Sequence, residues 1–278
     1  MNHSSHFIES NGIRLHYLEY NGEGPTLILM HGLTANAHAF GGLVAAGLDQ
    51  HAHVISVDLR GRGLTDAPSD YSLSEHAKDI IGLLDHLQIE DAIIGGHSFG
   101  GLLTFYLAYY YPSRVHKMIL MDVAARLHIN TRKMLEPAMS RLGQTFPSFH
   151  DYLEKVKHAP YNTFWEHAMQ EYYKADVKEN EDGSVIPRSS VRNIGEAARN
   201  VLSEPWRTYI KNMPKPAILF NATGIYTLNA PLLPKENALQ TVKLMRNCEY
   251  VEVEGNHQTM LYGKGAMQIV EGASAFIK

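Results

Sequence analysis

The sequence predicts an α/β fold, a mostly parallel sheet wrapped by helices and interrupted by one long helical insertion. Three observations carry this. Short apolar runs alternate with helical patterns along most of the chain. A glycine-flanked serine follows one apolar run and opens a helix. Between Arg126 and about Lys211 the alternation stops, and helical patterns succeed one another without a convincing strand.

Ile13–Tyr20 alternates inward and outward residues and ends at Asn21-Gly22, read as a hairpin-type turn into the next strand. Thr26–Met30 is continuously apolar, as a strand covered on both faces should be. His53–Asp58, Asp91–Gly95, Lys117–Met121, Ala217–Asn221 and Tyr250–Val253 are the further strands. Ser74 is a plausible N-cap for a helix whose apolar residues Ala77, Ile80, Ile81 and Leu84 recur at helical spacing. Phe99–Tyr110 is a second helix, stopped by Pro112, and Ala266–Ile277 a closing one.

Residues 1–125 and 212–278 form the expected core, and 126–211 an all-helical lid over the carboxyl ends of the strands, where ligands of open α/β sheets bind. The lid is dense in methionine and aromatic residues. Most should hold the lid together, and Trp165 and Trp206 are taken as candidates to face a substrate. The acidic cluster Glu179 to Asp182 reads as a solvated turn.

Composition narrows the function classes. At 278 residues, with 45% hydrophobic and 19% charged residues, the chain can bury a full core. A net charge of −4, without charge blocks, gives no reason to expect nucleic acid or an anionic membrane as partner. One cysteine, Cys248, allows no intrachain disulfide. The first ten residues lack a basic stretch followed by an apolar run, and no segment approaches a membrane span. A cytoplasmic protein with a small-molecule substrate, monomeric or homodimeric, is the simplest expectation.

Gly96-His97-Ser98-Phe99-Gly100-Gly101 follows the apolar Ala92-Ile93-Ile94-Gly95. A serine hydroxyl becomes nucleophilic when it stands clear of the sheet, near a base and beside hydrogen-bond donors. A tight strand-to-helix turn achieves this, with glycines relieving the crowding it creates. The alternative, a phosphate-binding turn, is poor: no Lys-Ser or Lys-Thr pair follows and G-x-G-x-x-G is absent.

On these residues the chain resembles the α/β-hydrolase superfamily over nearly its full length. His31-Gly32-Leu33 matches the loop that supplies half of that family's oxyanion hole. Asp58-Leu59-Arg60-Gly61-Arg62-Gly63 matches a common loop, and Gly255-Asn256-His257 the position of the catalytic histidine. The resemblance implies an eight-stranded sheet, with Ser98 as nucleophile, His257 as base, and the backbone N–H groups of Leu33 and Phe99 meeting the oxyanion. His97 and His31 are taken as packing, pocket-lining or structural residues, and Asp58 and Asp66 as structural acids.

The acid departs from the commonest pattern. The run Ala217 to Tyr226 contains no Asp or Glu, whereas the preceding strand ends in Asp122. The order Ser98, Asp122, His257 agrees with this fold. An acid at this position resembles certain dehalogenases and the 2-(acetamidomethylene)succinate hydrolases, and a similarity to serine-dependent macrolide esterases is also apparent. The expected activity is carboxylic-ester hydrolysis through an acyl-enzyme, with a large lactone such as a macrolide antibiotic as first substrate class. The alternatives are an amide, ester or carbon–carbon hydrolase of a small acid, or a receptor or lyase on the same fold. A dicarboxylate would call for lid arginines, for which Arg126, Arg132, Arg188 and Arg192 are candidates. No metal or cofactor is expected: H-E-x-x-H is absent and one cysteine rules out multi-cysteine zinc sites.

Overall fold

A computed structural model describes residues 3–278; Met1 and Asn2, the start of the segment read for a leader, lie outside the described residues. Eight strands form one sheet in the order β1-β2-β4-β3-β5-β6-β9-β10. These are β1 Ser4–Ser10, β2 Ile13–Tyr20, β3 Thr26–Met30, β4 His53–Val57, β5 Ala92–His97, β6 Val115–Met121, β9 Ala217–Ala222 and β10 Cys248–Val253. Pairing is antiparallel for β1–β2 and β2–β4, and parallel from β4 through β10. Alternation explains why the central strands are apolar throughout. Ile28 and Met30 of β3 enter the apolar layer on one face of the sheet, while Leu27 and Leu29 enter the other.

Six helices wrap the sheet in sequence: α1 Gly41–Ala45, α2 Leu73–His86, α3 Phe99–Tyr110, and, after the insertion, α9 Lys235–Leu244 and α10 Gly263–Ile277, with α8 Trp206–Lys211 against α3. α2 begins one turn-half earlier than its sequence reading: Ser72, not Ser74, accepts the Glu75 N–H at 3.3 Å. The hairpin reading also moves. The two-residue turn is Asn11-Gly12, both with positive φ (50° and 73°), and it joins β1 to β2. Asn21-Gly22 makes no hairpin, because β3 needs parallel neighbours on both sides and takes β4 and β5.

Between β6 and β9 lie α4 Thr131–Met139, α5 Phe149–Lys157, α6 His167–Ala175, α7 Val191–Leu202 and α8, together with a two-stranded antiparallel hairpin. That hairpin, β7 Val177–Glu179 and β8 Val185–Pro187, corrects the expectation of an all-helical insertion. Three residues per strand are too few to display alternation in sequence. Val177 and Val185 bury against the aromatic cluster of the insertion, and the Glu179–Asp182 segment is its turn. No helix of the described residues is long and apolar enough to cross a membrane.

Candidate active site

Parallel strands deliver their carboxyl ends to one edge, and the sheet order reverses at β3, between β4 and β5. That reversal opens a crevice. Ser98 stands there between β5 and α3, with φ 54° and ψ −113°, a conformation that non-glycine residues rarely occupy. The packing around it enforces this. A Cβ on Gly96 would meet the Gly100 carbonyl oxygen at 2.1 Å, and one on Gly100 the Met30 carbonyl oxygen at 1.9 Å. The turn is pinned by Ser98 N–H to Met121 O (2.9 Å) and Gly100 N–H to His31 O (3.1 Å), which locks the elbow to the loop after β3.

Asp122 ends β6, also at positive φ (50°), and is buried. Its Oδ1 accepts from the Ala222 N–H and from Asn221 Nδ2, both at 2.9 Å. Its Oδ2 takes His257 Nδ1 at 2.6 Å. An ionised carboxylate accepts only, so the proton in this bond sits on Nδ1 and Nε2 is the nitrogen that faces away from Asp122. Ser98, Asp122 and His257 line one cavity together with Leu33 and Phe99. The three residues selected from sequence thus come from three strand ends to one crevice.

Leu33 follows β3 in a loop held by Arg62 Nε on its carbonyl (3.1 Å), and Phe99 begins α3. Neither N–H bonds to an acceptor among the described residues. A helix N-terminus adds its dipole at this point.

His97 and His31 are placed differently from pocket residues. Nε2 of His97 donates to the His257 carbonyl at 2.8 Å, with the two rings 4.5 Å apart. Burial, then the neighbouring His257, holds its pKa well below the ordinary value, so it stays neutral and fixes the His257 loop. His31 donates from Nδ1 to Gly32 O (2.8 Å) and accepts the Leu59 N–H at Nε2 (3.1 Å); burial pushes it down to about 4. Both are structural, and neither lines the cavity.

Trp165 and Trp206 do not line it either, a correction with a packing cause. Trp165 stacks on Tyr173 at 5.5 Å within the lid's own aromatic cluster, and Trp206 packs on Tyr209 and donates to the Val201 carbonyl. The apolar lining that the insertion contributes is aliphatic instead, from Leu127, Ile129, Leu135, Met139, Val191 and Leu202. Of the four arginines proposed for a dicarboxylate, only Arg132 lines the cavity, and Arg188 borders a separate depression.

Asn221, Tyr226 and Arg199 escaped the sequence reading. Asn221 occupies the strand end where the acid was sought and not found, and its Oδ1 accepts from the Tyr250 hydroxyl at 3.0 Å. Tyr226 sets its ring against His257 at 5.5 Å, backed by Tyr161. Arg199 of α7 joins Arg132 of α4 along the cavity, and neither has a carboxylate partner among the described residues. The empty acid position was the one signal that pointed to Asn221.

Comparison with known proteins agrees with this fold. The sequence profile of the alpha/beta hydrolase fold family matches residues 25–225. A 2-(acetamidomethylene)succinate hydrolase of Mesorhizobium japonicum is 28% identical over 246 residues, covering 85% of each chain. The crystal structure of an E-2-(acetamidomethylene)succinate hydrolase superposes with TM-score 0.86 at 24% identity, over 99% of both chains. The enol-lactonase of Burkholderia xenovorans superposes with TM-score 0.63 at 21% identity, over 98% of this chain and 96% of that one. The chain belongs to the alpha/beta hydrolase fold family, and it is a hydrolase of that family.

Proposed function

We propose that the protein hydrolyses a carboxylic ester or lactone through an acyl-enzyme on Ser98, with a bulky, largely apolar substrate. The carrying observation is the cavity of about 830 Å³ that opens over Ser98 and His257 and is lined mostly by aliphatic carbon. That volume is near the upper end of ligand pockets, roughly 300–1,000 Å³. A seven-carbon dicarboxylate would leave most of it empty, whereas a macrocyclic lactone would use it.

The chemistry follows from a serine that shares one cavity with the hydrogen-bonded His257–Asp122 pair. Ser98 Oγ adds to the substrate carbonyl carbon as His257 Nε2 takes its proton. Asp122 stabilises the imidazolium through Nδ1–H without being protonated itself. The N–H groups of Leu33 and Phe99 meet the oxyanion. Collapse breaks the bond to the leaving oxygen, which takes the proton from Nε2. Water, deprotonated by the same nitrogen, then releases the acid and regenerates Ser98. For a lactone the leaving oxygen stays attached, so the product is a hydroxy acid one water heavier.

A second reading has its own support. Arg132 and Arg199 face the cavity without ion partners, and the Mesorhizobium relative acts, by its name, on a succinate derivative. Hydrolysis of an amide or ester of an anionic acid is therefore retained beside the lactone. Mass spectrometry of large lactones, simple esters and dicarboxylate amides, incubated with wild type and Ser98→Ala, separates the two. One water gained by macrolides with wild type alone supports the first reading. Turnover confined to dicarboxylate amides replaces it with the second, and turnover by Ser98→Ala overturns both.

A further inference from the structure

Three arginines are buried among the described residues, and they are not equivalent. Arg60 grips Asp79 with Nε and Nη2 at 2.7 and 2.6 Å, and Arg141 holds Asp176 from Nε at 2.8 Å. Arg62 is as deeply buried as either, yet no carboxylate pairs with it among the described residues. Its Nε donates to Leu33 O at 3.1 Å, and its Nη1 to Arg60 O at 2.7 Å and to His76 Nε2 at 3.1 Å. Its Nη2 is buried without a partner. The acid nearest in sequence, Asp58, is taken up by His16 and by the Ala37 and Leu64 N–H groups.

Burying a charge without a counter-ion is costly, and such groups usually pair or neutralise. Arg62 does neither. Burial lowers it to about 10, which leaves it cationic at neutral pH. Around it stand Arg60, Tyr71, His31 and His76, with Glu196 accepting the Tyr71 N–H at 3.2 Å. His76 is kept neutral chiefly by burial, and its Nδ1–H is committed to Ser72 O. What the cation does touch is the candidate oxyanion hole. It holds Leu33 through the carbonyl, and its guanidinium carbon lies 5.3 Å from the centre of the Phe99 ring.

We infer that Arg62 is a positioning residue for the oxyanion hole: it fixes the Leu33 segment and supplies an uncancelled positive charge behind the two N–H donors. The inference rests on the Ser98 reading above. A fixed charge near the site where negative charge develops acts more on the transition state than on the neutral substrate, so it raises kcat rather than lowering KM.

The test compares wild type, Arg62→Lys and Arg62→Met in phosphonylation by a fluorophosphonate and in turnover of an ester the wild type accepts. Arg62→Met is expected to fold, since replacing a buried unpaired charge by an apolar chain of similar length is often tolerated. Its kcat should fall about 10- to 100-fold, below the loss for a direct oxyanion donor. KM should change little, affinity for a boronic acid that mimics the tetrahedral anion should weaken in parallel, and Arg62→Lys should lie between. Unchanged kcat in folded Arg62→Met, or equal losses for Lys and Met, overturns the inference. Should Arg62→Met not fold, Arg62→Lys decides alone. Its buried ammonium should lose its proton at lower pH than the Arg62 guanidinium, so the alkaline fall in kcat should begin at lower pH than in the wild type, and coincident alkaline limbs also overturn it. If the wild type itself takes no phosphonate label, the Ser98 reading fails instead.

Discussion

The molecule brings a serine, a histidine and an aspartate together twice around a His–Asp hydrogen bond, and only one of the two has the surroundings of a catalytic site. In the second, Ser5 Oγ meets His16 Nε2 at 2.8 Å, and His16 Nδ1 meets Asp58 Oδ2 at 2.7 Å. Asp58, like Asp122, also accepts two further N–H groups. The differences lie around the serines. Ser5 sits in regular pairing with Leu18 on β1, the edge strand, whereas Ser98 holds a strained φ of 54° at the start of a buried helix. The depression beside His16 is small, about 260 Å³, and borders Glu171, Lys174 and Arg188, while the cavity over Ser98 is apolar. Residue types at hydrogen-bond distance are cheap for a fold to provide. A strained nucleophile costs about 1–3 kcal/mol, and unpaired N–H donors add to that; only the Ser98 site carries both.

The largest effect expected from this contrast is at the serines. Ser98→Ala should abolish fluorophosphonate labelling and lower kcat by a factor on the order of 10⁶. Ser5→Ala should leave both unchanged. Peptide mapping of the labelled protein checks this, and a stoichiometric label on Ser5 would break the comparison.

The two aspartates come next. Asp122→Asn should cut kcat on the order of 10⁴-fold, through the wrong imidazole tautomer, with little loss of stability. Asp58→Asn should do the reverse, destabilising by about 2–4 kcal/mol while folded molecules retain kcat. Burial alone would raise the Asp58 carboxyl, but the hydrogen bond and charge of His16 outweigh it and hold it below the ordinary range. A folded pKa below the unfolded one contributes stability that is full above about pH 4 and is lost as pH falls through the folded value. Thermal unfolding from pH 7 to pH 2 should therefore show a shallower acid-side decline in Asp58→Asn. Parallel curves for the two proteins would remove Asp58 from this role.

What was legible in the sequence tracks what local chemistry dictates. Ser98, Asp122 and His257 each sit one to four residues beyond a strand, so strand ends alone brought them to one edge. Asp122 as the partner of His257 was legible because the position after the next strand holds no acid. The cavity lining was not, because aromatic residues in the insertion serve equally for packing and for binding. Trp165 and Tyr173 chose each other, while Leu135 and Met139 took the lining. β1 escaped notice because its exposed face reads Ser5, Phe7 and Glu9, with only Ile8 and Ser10 buried. The β7–β8 hairpin escaped because three residues per strand are too few to display alternation, and Arg62 because nothing in a sequence reports that a cation lacks its counter-ion.

The smallest effects concern what the two acids do not share. Asp58 takes its two additional N–H bonds from the backbone alone, whereas Asp122 takes one from Ala222 N and one from the Asn221 side chain. Asn221 is itself oriented, since its Oδ1 must accept from the Tyr250 hydroxyl and its Nδ2 also reaches Leu233 O at 3.2 Å. Removing that amide with Asn221→Ala leaves the Ala222 bond in place. A hydrogen bond to a charged group contributes about 1.5–3 kcal/mol, so the expected loss in the phosphonylation rate is about 10- to 100-fold. Tyr250→Phe acts only through the orientation of Asn221 and should cost about two- to fivefold, the equivalent of a neutral hydrogen bond near 0.5–1 kcal/mol. Combining the two should add nothing to Asn221→Ala, because the tyrosine has no route to Asp122 once the amide is gone. Additive losses in the double variant would mean that Tyr250 reaches the acid by another path, and that the Asp122 support is a wider network than the single amide that distinguishes it from Asp58.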